Sequence, residues 1–70
     1  MSLKDKYEPV FNLMNELHSS DTSIGFDRGT LVIRAKVPDS HSRNLIMRKV
    51  DQVNLEKGHD IDIKLFVDSE

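Results

Sequence analysis

The run Gly29-Thr30-Leu31-Val32-Ile33-Arg34-Ala35-Lys36-Val37-Pro38-Asp39-Ser40 constrains this chain more than any other stretch. Leu31, Ile33, Ala35 and Val37 fall on one face of an extended backbone. Val32, Arg34 and Lys36 fall on the other. That period of two predicts a strand with one buried side. Pro38 has no N–H to give a sheet ladder, so the strand ends there. Asp39 or Ser40 then offers a side-chain oxygen to cap a helix.

The rest of the chain arranges itself around this strand. Tyr7, Val10, Phe11, Met14 and Leu17 recur at helical spacing, with Asn12, Asn15 and Glu16 on the outer face. Pro9 is tolerated only in a first turn, which predicts a helix from Tyr7 or Glu8 to about His18. Ser19-Ser20-Asp21 is a polar stop. Thr22 to Asp27 reads as a short strand with Ile24 and Phe26 on one face and Ser23 and Gly25 on the other. Asp27-Arg28-Gly29 is a tight-turn signal leading into Thr30–Val37. The second helix is expected from Asp39 or Ser40 to Val53 or Leu55, with Ile46, Val50 and Val53 as its apolar stripe and Leu45 and Met47 beside it. Asn54 to His59 is a connecting loop. Asp60 to Val67 alternates again, with Ile61, Ile63, Leu65 and Val67 inward and Asp62, Lys64 and Phe66 outward. Asp68-Ser69-Glu70 is expected to fray.

The order α-β-β-α-β predicts an α+β two-layer sandwich, with two helices on one face of a three-stranded mixed sheet. Residues 1–70 form a single domain with its core from about 7 to 67. Seventy residues without cysteine must hold a thin core with no disulfide or cysteine-bound zinc to support it. Packing therefore has to be close to ideal, or be helped by self-association or a neighbouring domain. Net charge is −2 and pI about 5.9, which argues against a nucleic-acid partner held by bulk charge. No apolar run is long enough to span a membrane. Lys4, Asp5, Lys6 and Glu8 precede any apolar run, unlike a secretory signal, so the cytoplasm is the default compartment.

These elements resemble the BON domain, a small α-β-β-α-β module of the bacterial envelope. That family reads as a Gly turn, a strand of the type TVTLSG-x-V, a small polar capping run, an amphipathic helix and a closing hydrophobic strand. The closer likeness is to BON-like domains found beside LysM (peptidoglycan-binding) domains. Those often open with a Tyr-x-Pro-Val helix, as in Tyr7-Glu8-Pro9-Val10. They continue through a G-x-L-x-I-x-G-x-A/V-P strand and end on an ADI-x-V-like strand, as in Asp60-Ile61-Asp62-Ile63. The likeness covers Tyr7 to Val67. Ala35 stands where the family usually has glycine, and Asn54–His59 lacks a Pro-Gly-Val turn. The resemblance implies a non-catalytic module attached to envelope phospholipid or peptidoglycan-linked components, with potassium sensing in one LysM-linked branch.

Few residues suggest chemistry. His18, His41 and His59 share no ligand spacing and read as surface histidines. Asp39, Ser40, His41 and Ser42 are too close in sequence to converge as a triad on a helix start, so capping explains them better. Asp60 and Asp62 point to the same side of a strand and could hold a hard cation through oxygen, but no Asp-x-Asp-x-Asp-Gly loop is present and a solvated, aggregation-blocking edge explains them better. No catalytic set, metal set or cofactor motif is present. The uncovered sheet face is more informative. It is expected to carry Val32, Arg34 and Lys36 from one strand and Asp62, Lys64 and Phe66 from another. Three cations around an exposed aromatic suit an anionic polymer, a lipid headgroup layer or a partner protein. The alternatives are a small homodimeric structural domain closed by Phe66, and a single-stranded nucleic-acid binder stacking bases on the sheet. Arg34, Lys36, Lys64, Phe66 and Val32 are the candidate binding residues.

Overall fold

A computed structural model describes residues 2–68. The element order is α1 (Leu3–Lys6), α2 (Glu8–Glu16), β1 (Ser20–Asp27), β2 (Thr30–Val37), α3 (Ser40–Lys57) and β3 (Ile61–Val67). The sheet order is β1-β2-β3. β1 pairs antiparallel with β2, and β3 pairs parallel with β2. The sheet is therefore mixed, with the helices on one side, as the α+β reading expects. The expected alternation of β2 holds without exception: Leu31, Ile33, Ala35 and Val37 are buried, while Arg34 and Lys36 are exposed. They meet Tyr7, Val10 and Met14 from the N-terminal segment, Ile46, Val50 and Val53 from α3, and Ile61 from β3.

The first helix differs from its expected bounds. Helix begins at Leu3, capped by the Ser2 hydroxyl, which accepts from the Asp5 N–H at 3.2 Å. It breaks at Tyr7 (φ −101°, ψ 17°) and restarts at Glu8. Pro9 sits in the first turn of α2, where its missing N–H costs nothing, but its ring crowds the carbonyl four residues back. The helix then closes before His18. The His18 N–H donates to the Asn15 carbonyl and the Ser19 N–H to the Met14 carbonyl, a Schellman ending with His18 in the left-handed position at φ 60°.

β1 runs from Ser20, two residues earlier than expected, because an irregularity between Ser20 and Ser23 inserts Asp21 (φ 50°) without ending the pairing. Arg28 (φ 53°) and Gly29 (φ 81°) form a two-residue turn with the positive φ pair of type I′. No residue of β1 is buried. Ile24 and Phe26 pair with Ile33 and Leu31, so they share the helix-side face, yet they are 42% and 60% exposed. α3 extends to Lys57, beyond Leu55, which is itself exposed. Its start follows expectation: Asp39 Oδ1 accepts from the Ser42 N–H at 2.8 Å. Asp68 is not yet frayed, since its N–H donates to the Val37 carbonyl at 2.8 Å. Ser69 and Glu70 lie outside the described residues.

Two stability outcomes follow from these termini. A non-glycine residue in the left-handed region costs about 1 kcal/mol, so His18→Gly is expected to stabilise the domain by about that amount in urea denaturation. A neutral or negative change would show that the His18 side chain contributes contacts of its own. The Ser42 backbone N–H, and then its hydroxyl, hold the Asp39 carboxyl below the usual carboxylate range. Its ionised form therefore stabilises above the unfolded-chain value of about 3.9 and stops doing so as pH falls through the lower folded value. The stability gap between wild type and Asp39→Asn should be constant near neutrality and shrink in acid. A gap independent of pH would exclude the carboxylate charge as its source.

Candidate functional site

The open face of the sheet carries the side chains that the helices leave uncovered. Register places Val32 beside Asp62, Arg34 beside Lys64, and Lys36 beside Phe66. In β1, Ser23 lies across from Arg34 and Ser20 across from Lys36. Arg34, Lys36, Lys64 and Phe66 are all exposed, and Val32 is half-buried. Phe66 keeps 47% of its surface in solvent. The Arg34 guanidinium lies 5.7 Å from the centre of the Phe66 ring, within range of a cation–π contact.

Arg34, Lys36 and Phe66 come together around a shallow depression of about 280 Å³, completed by Asp21, Ser23 and Ala35. Val32 and Lys64 are on the same face but outside this lining. Asp21 and Ser23 are additions from β1. Asp21 reaches the site because of the irregularity in β1, and its carboxylate lies 3.6 Å from Lys36 Nζ. No pattern in the sequence announces that irregularity. Among the described residues the ion pairs are Lys36–Asp21 and Lys6–Asp60, which leaves Arg34 and Lys64, like charges side by side, without a carboxylate within 4.0 Å. Two adjacent cations favour an anion placed between them.

A second polar cluster lies at the opposite layer and is structural in character. Tyr7 is fully buried. Its hydroxyl donates to Asn54 Oδ1 at 2.6 Å and accepts from the Asp60 N–H at 2.9 Å, with the Gly58 carbonyl at 3.3 Å. Lys6 Nζ lies 2.7 Å from Asp60 Oδ2 and 5.3 Å from the Tyr7 ring centre. The hydrogen bond to Asp60 raises the Lys6 ammonium above its ordinary range, against the opposing effect of desolvation. The cluster fastens the α1–α2 junction to the end of α3 and the start of β3.

The pairing of Asp60 with Asp62 as cation ligands is not what the fold provides. Asp60 precedes β3 and turns to Lys6, whereas Asp62 stands on the open face. Among the described residues no three His, Cys, Asp or Glu side chains gather as metal ligands. His18 and His41 are exposed. His59 is exposed too, its Nε2 3.0 Å from the Ile61 carbonyl. Among the described residues no helix is long and apolar enough to cross a membrane. No family model, curated protein or solved structure matches the chain.

Removing the Tyr7 hydroxyl takes a hydrogen-bond partner from the part-buried Asp60 N–H and Asn54 Oδ1 together. Tyr7→Phe is expected to destabilise the fold by about 1–3 kcal/mol in chemical denaturation. An unchanged midpoint would mean that water replaces the hydroxyl and that the cluster is not a fastening.

Proposed function

We propose that this chain is a non-catalytic binding module of BON-like type, which docks through its open sheet face onto the anionic headgroups of an envelope phospholipid layer. One observation carries the reading: Arg34, Lys36 and Lys64 surround a half-exposed Phe66 on a face that no helix covers. The face suits a surface better than a small molecule. Its depression is shallow, and a phenyl ring at its rim can enter an interface whose headgroups meet the cations. An acidic face on a partner protein would meet the same cations and is the second occupant that this chemistry allows. A single-stranded nucleic acid fits less well, because one aromatic provides one stacking platform and the net charge is −2.

The test is sedimentation with vesicles of phosphatidylglycerol and phosphatidylcholine, compared with phosphatidylcholine alone. Wild type should sediment only with the anionic vesicles, and less as salt rises. Arg34→Glu/Lys36→Glu changes the local charge by four. At about 1 kcal/mol per charge near an anionic surface, affinity should fall by about a hundredfold or more. Equal sedimentation of the folded double variant would remove this face from the reading. No sedimentation of wild type at low salt would remove phospholipid and leave the acidic protein face as the occupant.

A further inference from the structure

The free edge of β1 offers a second interaction surface, independent of any ligand on the open face. We propose that two copies of this chain join antiparallel along β1, about a two-fold axis through Gly25, into one continuous six-stranded sheet.

The backbone alternation selects this register. The tight turn at Arg28-Gly29 closes on Asp27–Thr30, the hydrogen-bonded pair of a two-residue hairpin. Counting back, Gly25–Val32 and Ser23–Arg34 are also hydrogen-bonded pairs, whereas Phe26–Leu31 and Ile24–Ile33 are not. The N–H and C=O groups of Ile24 and Phe26 therefore point away from β2, along the open edge. With the axis at Gly25, Ile24 of each copy faces Phe26 of the other, and these outward groups meet as two hydrogen-bonded pairs. Gly25 meets its own copy as a non-hydrogen-bonded pair, the spacing at which backbones approach most closely. A side chain is absent there, and a Cβ added at Gly25 would meet nothing within 4 Å in a single copy.

Side chains and charges agree with the backbone. The register pairs a β-branched residue with an aromatic twice on the helix-side face, a favourable cross-strand combination. These are the exposed apolar side chains of β1, at 42% and 60%. At each end Arg28 of one copy lies across from Thr22 and beside Asp21 of the other, so opposite charges meet at both ends. Shifting the axis to Ile24 would instead bring Asp21 toward Asp27. Shifting it to Phe26 would run Ile24 into the turn. The segment Ser23–Asp27 carries no lysine, proline or covering helix to block an edge. The join involves one short edge strand from each copy, so its population is expected to rise with concentration across the micromolar to millimolar range.

Molar mass by light scattering, from about ten micromolar to about one millimolar, tests this. The mass should rise with concentration from 8.0 kDa toward twice that value, and Ile24→Lys/Phe26→Lys should stay monomeric while folded by circular dichroism. Register is tested separately. The chain has no cysteine, so Gly25→Cys should oxidise to a disulfide-linked dimer at least about tenfold faster than Leu55→Cys, an exposed control on α3, since a non-hydrogen-bonded pair about 4.5 Å apart suits the bond. A wild type that stays monomeric throughout overturns the proposal. So does a dimer that survives the double lysine variant, or a Gly25→Cys chain that links no faster than the control.

Discussion

The buried row Leu31, Ile33, Ala35 and Val37 is the constraint on which the rest of the structure depends. β2 is the strand with a ladder on both sides, and its inner row is the floor on which the N-terminal helical segment and α3 rest. A one-residue slip of this strand would turn Arg34 and Lys36 into the core and Leu31 and Ile33 out to water. Burial of the inner row therefore fixes the composition of the outer one. The cations Arg34 and Lys36 are thus held on the open face by the apolar row on the opposite face of their own strand.

This dependence explains what could be read from the sequence. Period-two alternation ending at Pro38 specifies β2, and a second alternating run specifies β3, so alternation alone assigns Arg34, Lys36, Lys64 and Phe66 to one face. The parallel register that sets Arg34 against Lys64 and Lys36 against Phe66 could not be read, because it depends on how α3 returns the chain. Asp21 was hidden for a different reason. It reaches Lys36 through a local irregularity in β1, and a polar strand gives no hydrophobic pattern from which to detect an added residue. The early start of the first helix was masked by Pro9, which marks a helix start correctly but says nothing of a preceding turn on the other side of a break.

Polar chemistry is divided between the two layers. Tyr7, Asn54, Asp60 and Lys6 satisfy one another around a fully buried hydroxyl. In a thin core such a cluster gives direction to packing that apolar contacts alone leave loose. Arg34 and Lys64 on the open face are not satisfied in this way. The proposed docking of the open face rests on that unneutralised pair.

Among the described residues, the non-glycine positions with positive φ are His18, Asp21 and Arg28. All three border or interrupt β1, the strand with no buried residue. Backbone strain and weak burial thus coincide in one element, while β2, α3 and β3 carry neither burden. Such a distribution lowers the free energy of opening β1 locally relative to the body formed by the N-terminal helices, β2, α3 and β3, which holds the buried core. Hydrogen exchange at the outward amides of β1 is then governed by local opening of that edge rather than by unfolding of the whole chain.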